Sequence, residues 1–456
     1  MKKGKNNIIK LLKNLLKQKV KMKNLILFLG ISICIPLWSQ NHEVDSFSLE
    51  QATQYSLENS PIIKNSEIDV IISKKKVWET TAMGLPQAQA TLGYQYSLTV
   101  PDLFETFSSF GEDSSVTIDD LKASIPFDLT VSQLIFSGPY IVGLQAAKVF
   151  KELSEVSLEK SKMDVKKTVI HTYYLALVTF ENEIIIDSIY ESTKTLVNEI
   201  EAMYNNGFVD ETDLDQMKLT FQIIEDNQKM IKRQKDLILD LLKYQMGYDI
   251  EKDIILTDNL EQILDISSIE NLLLSEFNVN ENLDYQLLMT QEKLSELDWK
   301  RRRSEYLPSL SAYYTHHEQF NSNSVDFQSP DMIGITASIP IFSSGMRMSV
   351  VGQSKLEYEK SKNTRIMQEA GLKLQFKEAK ISLLNTYDKY NTEKENTLLS
   401  KKIYSRTLIK YSEGMASRTE LTQVQNQYLN VQSTFFNTII DLIDKNLNIK
   451  ELTNDL

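Results

Sequence analysis

The chain has 456 residues, of which 42% are apolar and 25% are charged, and its formal net charge is −12. This composition is typical of a large folded protein and excludes wholesale disorder. The acidic balance argues against electrostatic binding of nucleic acid. The single cysteine, Cys34, lies near the N-terminus, so disulfides, thiolate metal sites and cysteine nucleophiles are excluded from the remainder of the chain.

The first 40 residues carry nine lysines and no acidic residue. From Met22, the expected true start, Lys23 and an apolar run to Leu37 predict a signal peptide that ends near Ser39-Gln40. A membrane anchor is the alternative, but the apolar run is shorter than the roughly 20 residues that a spanning helix needs. Removal of residues 1–40 would change the net charge to 41 − 62 = −21.

Two parts of the chain follow one plan, which indicates a tandem duplication. Ile-Phe-Ser-Gly ending at Gly138 precedes Tyr-Asn-Asn-Gly ending at Gly207, and Ile-Phe-Ser-Ser-Gly ending at Gly345 precedes Tyr-Ser-Glu-Gly ending at Gly414. The interval is the same in both copies, since 207 − 138 = 69 and 414 − 345 = 69. A helix that fills such an interval would be roughly 100 Å long.

Before each long interval, apolar and polar residues alternate with period two, which predicts two strands in each repeat. The four segments are 90–98, 127–132, 310–314 and 333–341. A half-buried soluble sheet would show the same alternation, but aromatic residues near the strand ends favour a lipid-facing sheet. These aromatics are Tyr94, Tyr96, Phe104, Phe107, Tyr313, Tyr314, Phe320 and Phe327. Because the smallest known barrels have about eight strands, several chains would have to share one barrel.

After each glycine turn the sequence predicts a helix with Thr212 or Thr419 as its N-cap. Apolar residues at coiled-coil spacing predict a packing seam along each of these helices. The seam positions are Leu214, Met217, Phe221, Ile224 and Ile231 in one copy, and Leu421, Val424, Tyr428, Val431, Phe435, Ile439 and Leu442 in the other. Shorter helices over 61–82 and 283–305 should stop before Pro86 and Pro308. We expect repeat 1 at 41–246, an acidic linker at 247–282 and repeat 2 at 283–456.

These features together resemble the TolC family of bacterial outer-membrane efflux proteins. The resemblance covers nearly all of the chain after residue 40, from Phe47-Ser48-Leu49-Glu50-Gln51-Ala52 and Asn59-Ser60-Pro61, through Leu85-Pro86 and Leu307-Pro308, to the two Tyr-x-x-Gly turns. It implies a mixed α/β membrane protein: a homotrimer with a shared 12-stranded barrel in outer-membrane lipid and a long periplasmic tube of coiled-coil helices. It also implies two partners, a periplasmic adaptor and an inner-membrane pump.

The resemblance further implies a gate at the periplasmic mouth. Tyr411 and Asp213 match the family's closing pair by position, and we expect a hydrogen bond between them. The family's closing arginine falls on Ala416, with Arg418 two residues further on. The sequence leaves open whether Arg418 takes its place, because two helical residues turn a side chain by about 200°.

The family's two pore-facing acids fall on Glu420 and Gln423, so one of the two acidic rings has lost its charge. Glu420, repeated around a narrow pore, is expected to favour cations. Asp213 and Glu420 would also stabilise the first turns of their helices.

The two turns are predicted to contact the adaptor, because exposed apolar residues on a helical hairpin suit the docking of another hairpin. The predicted contact residues are Gly207, Phe208, Val209, Gly414 and Met415. The two glycines would also permit a left-handed turn.

Catalysis finds no support in the sequence. The four histidines, His42, His171, His316 and His317, have no partner at a motif spacing, and no phosphate-binding loop or nucleophile elbow occurs. We therefore expect no enzyme activity, no cofactor and no metal. The sequence favours a passive export conduit for small molecules such as drugs. A type I protein-secretion channel and a non-transporting periplasmic coiled-coil protein remain as alternatives.

Overall fold

The computed structural model describes residues 45–99, 123–260, 266–320 and 329–456. The predicted signal peptide, His42 and three of the predicted girdle aromatics, Phe104, Phe107 and Phe327, lie outside these residues. Among the described helices, none combines the length and the apolar composition that crossing a membrane requires.

In the first half of the chain the structure describes seven strands or short helices, then a very long helix and a shorter one. They are β1 (Asp45–Phe47), α1 (Leu49–Asn59), α2 (Pro61–Ala82), β2 (Gln87–Leu92), β3 (Gln95–Tyr96), β4 (Ala123–Ser124), β5 (Pro126–Phe136), α3 (Gly138–Asn205) and α4 (Glu211–Met246). β6 (Ile254–Leu256) and α5 (Ile266–Leu274) follow. The second half contains α6 (Leu283–Ser304), β7 (Ser309–Gln319), β8 (Asp331–Ser338), α7 (Met346–Ser412) and α8 (Arg418–Thr453).

The long helices run without a break because no proline occurs beyond their first turns. α3 has 68 residues and α7 has 67, so each is about 100 Å long at about 1.5 Å per residue. The prediction of N-caps at Thr212 and Thr419 was wrong. α4 begins after Asp210 and α8 after Ser417, whose side chains accept hydrogen bonds from backbone N–H groups three residues on; the threonines therefore lie inside the first turns.

Short and long helices join into four columns. α4 ends beside the start of α2, where a Cβ added at Gly247 would lie 2.7 Å from the carbonyl oxygen of Asn59. α8 ends beside the start of α6, where Asn282 Nδ2 donates to the carbonyl of Leu452 at 3.1 Å. α3 packs against α2, α4, α6 and α8, and α7 packs against α6 and α8. The order of columns is therefore α2 with α4, α3, α6 with α8, and α7.

The larger sheet has the antiparallel order β2-β5-β7-β8, so the strands of the two halves pair at β5 and β7. Two predicted strands are shorter or divided. The segment 90–98 is split between β2 and β3, which belongs to a separate two-stranded sheet with β4, and β8 ends at Ser338. Pro340, which lacks an N–H group, follows just beyond.

The register gives this sheet one mainly apolar and one mainly polar face, because side chains alternate along each strand. The mainly apolar face carries Ala88, Ala90, Leu92, Phe127, Leu129, Val131, Gln133, Leu310, Ala312, Tyr314, Ile333, Ile335 and Ala337, with His316, Glu318 and Asp331 at one end. The opposite face carries Gln87, Gln89, Thr91, Asp128, Thr130, Ser132, Leu134, Ser311, Tyr313, Thr315, His317, Met332, Gly334, Thr336 and Ser338. The predicted alternation is thus present across all four strands.

The remaining small elements contribute to one buried apolar cluster on the helical columns. β1 pairs with β6, and Tyr173 of α3 donates its hydroxyl to the carbonyl of Phe47 at 2.9 Å. Beyond α5, the ring of Phe277 stacks on Phe376 of α7 with centroids 4.9 Å apart. We call this the linker side of the columns, defined by α1, β1, β6 and α5.

Candidate functional site: the tips of the two helical hairpins

Both hairpins turn through the same backbone motif. At the first tip Gly207 has a φ of +79°, and the N–H of Phe208 donates to the carbonyl of Met203 at 2.9 Å. At the second tip Gly414 has a φ of +71°, and the N–H of Met415 donates to the carbonyl of Lys410 at 2.7 Å. This left-handed C-cap geometry favours glycine and satisfies carbonyls at the helix end.

The turns leave two large apolar side chains in solvent. Phe208 is 80% exposed and Met415 is 70% exposed. Val209, which the sequence analysis grouped with them, is only partly exposed and packs against the apolar cluster behind the tips. Each hairpin therefore presents one exposed apolar residue directly after its glycine.

The cluster behind the tips joins all four helices. We call it the tip cluster: Ile189, Leu196, Val197, Ile200, Leu214, Met217, Ile224, Tyr404, Leu421 and Tyr428. The rings of Tyr404 and Tyr428 are stacked with centroids 5.5 Å apart. The predicted seams are confirmed at Leu214, Met217, Ile224, Leu421 and Tyr428, all of which are buried.

One buried polar contact crosses between the hairpins. Gln425 Nε2 of α8 donates to Thr193 Oγ1 of α3 at 3.1 Å, and both side chains are almost fully buried. The seam prediction named Val424 at this level, but Val424 is only partly buried. The spacing Leu421, Gln425, Tyr428 follows the core steps of four and three. Spacing alone therefore places Gln425 in the seam, although a seam defined by apolar residues omits it.

At the tips the two hairpins are joined by an ion pair. Arg418 Nη2 lies 2.8 Å from Asp213 Oδ1, and Arg418 Nη1 donates to the main-chain carbonyl of Asp213 at 3.1 Å. The Arg418 side chain is only 15% exposed. Arg418 thus bridges the start of α8 and the start of α4.

Tyr411 lies beside this pair without bonding to it. It packs against the tip cluster, and within the described residues no hydrogen bond joins its hydroxyl to Asp213. Burial raises the pKa of Tyr411, nearby Arg418 lowers it and Asp213 raises it further. Both charges therefore act on the Tyr411 hydroxyl, while Asp213 is paired with Arg418.

Glu420 and Gln423 are both exposed on α8 and lie one turn apart. The N–H of Glu420 is bonded to Ser417 Oγ at 3.2 Å. Among the described ion pairs none involves the Glu420 carboxylate.

The histidines sit far from the tips in sequence, and each of the three described ones faces one carboxylate. His171 lies 3.1 Å from Asp444, His316 lies 2.9 Å from Asp331 and His317 lies 2.6 Å from Asp128. The part of the chain that the structure describes contains no group of three or more potential metal ligands.

No protein-family model and no curated protein matches the chain. Among solved structures, the Campylobacter jejuni CmeC outer membrane channel is 18% identical with a TM-score of 0.72, covering 89% of this chain and 85% of that one. The outer membrane protein VceC of Vibrio cholerae is 12% identical with a TM-score of 0.67, covering 89% and 95%. The open state of the Neisseria gonorrhoeae MtrE outer membrane channel is 12% identical with a TM-score of 0.68, covering 89% and 88%. The chain therefore has a TolC-like fold.

Proposed function

We propose that this protein is the outer-membrane channel of a tripartite export system, formed by three chains around one pore. The fold supports this assignment, because proteins with the same architecture are outer membrane channels. In the proposed assembly the sheets lie in the outer membrane and the helical columns extend into the periplasm. Residues 1–40 direct export, while 41–246 and 283–456 are duplicated halves joined by 247–282.

The observation that carries the proposal is the four-stranded sheet with one mainly apolar face, one mainly polar face and two edge strands, β2 and β8. An unpaired strand edge exposes backbone donors and acceptors, which is costly in lipid. Four strands are too few to close a barrel. Three copies, with β8 of each chain paired to β2 of the next, give 12 strands, no free edge, an apolar exterior and a polar lumen.

The helical columns support the same arrangement. α4 exposes apolar residues at close to heptad spacing, namely Leu219, Ile223, Met230, Leu237, Leu241 and Tyr244. α7 exposes Met367, Leu374 and Ile381 at steps of seven. These helices are the outermost columns at the tip end of the chain. If one rotation relates neighbouring chains head to tail and closes into a ring, α7 of one chain packs against α4 of the next, and β8 pairs with β2 of the next.

The tips are the proposed gate and docking site. Arg418 and Asp213, with Tyr411 beside them, hold the mouth, and Glu420 sets its charge, with neutral Gln423 one turn above. Phe208 and Met415, presented by Gly207 and Gly414, contact the periplasmic adaptor, while an inner-membrane pump supplies the energy. The channel itself is a passive conduit for small molecules such as drugs.

The first test is the mass of the protein extracted in detergent from outer membranes, corrected for bound detergent, followed by conductance in a planar bilayer. A trimer that conducts is expected. A monomer or dimer that stays soluble without detergent would favour a periplasmic coiled-coil protein. Neighbouring genes separate the two transport roles: an ATP-driven transporter beside a large secreted protein would indicate type I secretion.

A further inference from the structure

A long uncharged segment occupies the exposed helix α8. From Leu421 to Ile440 there is no Asp, Glu, Lys or Arg, although 25% of the chain is charged. Glu420 stands immediately before this segment and Asp441 immediately after it. Twenty residues would ordinarily hold about five charges, so the segment departs clearly from the composition of the chain.

The duplication supplies an internal comparison. At the offset of 414 − 207 = 207, Leu421–Ile440 corresponds to Leu214–Arg233 of α4, which contains seven charged residues. Both segments begin just after a hairpin turn and form a helix that packs on a long partner. The absence of charge is therefore not required by the hairpin architecture.

Burial does not account for the lack of charge. Seven side chains of the segment are exposed, and all of them are uncharged hydrogen-bonding groups: Gln423, Asn426, Gln427, Asn430, Ser433, Thr434 and Asn437. Gln423, Gln427, Asn430, Thr434 and Asn437 follow one another at steps of four and three, so they form one stripe along the helix. At about 1.5 Å per residue the stripe from 423 to 437 is about 21 Å long.

The position of α8 indicates which surface the stripe occupies. α8 lies between α3 and α7, so it is not one of the outer columns that would meet a neighbouring chain. α5 packs on α8 from the linker side, and Ile443 of α8 belongs to the same buried apolar cluster as Ile269 and Leu272 of α5. At about 100° per residue, Asn437 and Asn430 lie about 120° and 140° around the helix from Ile443. The stripe therefore faces away from the linker side.

We infer that this stripe lines the pore as an uncharged hydrogen-bonding track directly above the ring of Glu420, an inference that rests on the proposed trimeric channel. In a ring of three chains the elements of the linker side would obstruct the pore if they lay inside, so they lie outside. The opposite surface of the columns, which carries the stripe, then faces the lumen.

The chemistry of the track determines what it selects. Amide and hydroxyl groups exchange hydrogen bonds with water and polar solutes, but they hold no net charge that would retain an ion of either sign. Conduction requires binding weak enough for release. Solutes of either charge therefore pass along the track equally well, and discrimination by charge occurs at Glu420.

Cysteine labelling tests this inference, because the only native cysteine is Cys34 and Cys34→Ser provides a cysteine-free background. Asn430→Cys is reconstituted in a planar bilayer and treated from the periplasmic side with a cationic or an anionic methanethiosulfonate reagent of similar size. Both reagents should lower the conductance. The cationic reagent should react faster by a factor of about five, equivalent to about 1 kcal/mol of attraction at the Glu420 ring. In the Glu420→Gln background the two rates should become equal.

Gln54→Cys is the matched control, since Gln54 is exposed on α1 and lies on the linker side. It should react without changing the conductance. If labelled Asn430→Cys, verified by mass, behaves like this control, or if the preference for one reagent persists in Glu420→Gln, the inference is wrong while the channel stands. Protein that conducts no current before labelling overturns the proposed function and this inference with it.

Discussion

Arg418 at the start of α8 holds Asp213 at the start of α4 through both its carboxylate, at 2.8 Å, and its main-chain carbonyl, at 3.1 Å. One guanidinium thereby fixes the spacing of the two hairpin tips, because its planar fork reaches two acceptors of the same residue. A lysine could not reproduce this geometry.

Arg418→Ala should raise the conductance of the channel by loosening the mouth. Because Asp213 is 43% exposed, solvent weakens the pair, and we expect a coupling of about 1 kcal/mol between Arg418→Ala and Asp213→Ala in a double-mutant cycle of thermal stability. Arg418→Lys should fall between wild type and alanine. Arg406→Ala, at an exposed position on α7, is the control; equal conductance of the two alanine variants would contradict a gating role for Arg418.

Tyr411→Phe should leave conductance unchanged, because Asp213 is paired with Arg418 rather than with the tyrosine hydroxyl. Tyr411→Ala should lower the free energy of unfolding by about 2 kcal/mol, since it removes a ring that packs on the tip cluster. Chemical denaturation in detergent and single-channel recording measure the two effects. If the Tyr411→Phe channel is open, the predicted hydrogen bond from Tyr411 to Asp213 does act as a closing contact.

Glu420→Gln should reduce the preference for cations, which reversal potentials in a salt gradient measure directly. Gln423→Glu should increase that preference, because it places a second carboxylate one helical turn above the first. Glu413→Gln, in the exposed second turn, serves as the control for a charge change outside the pore. Identical reversal potentials in all three variants would show that Glu420 does not face the lumen.

Phe208→Asp and Met415→Asp should weaken capture of the channel by its adaptor, because each places a charge where an apolar contact is expected. Co-purification with the adaptor, after mild crosslinking, gives the readout, and the trimer should persist in both variants. Leu274→Asp introduces the same charge at an exposed residue of α5 and should bind the adaptor normally. If all three variants bind alike, docking does not occur at the tips.

The junction of α3, α6 and α8 should lose stability in acid. Burial acts to raise the pKa of Glu451, but hydrogen bonds from Lys160 and Lys167 outweigh it, and the net pKa is lowered. A carboxyl group whose pKa is lowered on folding contributes stability that is complete above its ordinary pKa of about 4.3 and is lost as the pH falls from there through the lowered pKa. Between about pH 6 and about pH 3, the melting temperature should therefore fall more steeply in wild type than in Glu451→Gln. Parallel curves would exclude this role for Glu451.

The amino-acid pattern predicted the elements because each has a local cause. The proline-free intervals after Pro139 and Gly345 produced α3 and α7, and the period-two segments produced the strands of the larger sheet. The apolar seam positions on α4 and α8 are those that pack against the long helices. Local boundaries were less accurate: Asp210 and Ser417 compete with Thr212 and Thr419 as caps, and all three residue types cap helices well.

The sequence by itself determined the duplication, the helix lengths and the two faces of the sheet, because these depend on residues close together in the chain. The tertiary structure decided which groups from distant segments meet. Asp213 lies 205 residues from Arg418, and Thr193 lies 232 residues from Gln425. Periodicity assigns a side chain to a helix face, but only the packing of α3, α4, α7 and α8 fixes the rotation and height at which those faces meet. That packing pairs Asp213 with Arg418 rather than with Tyr411.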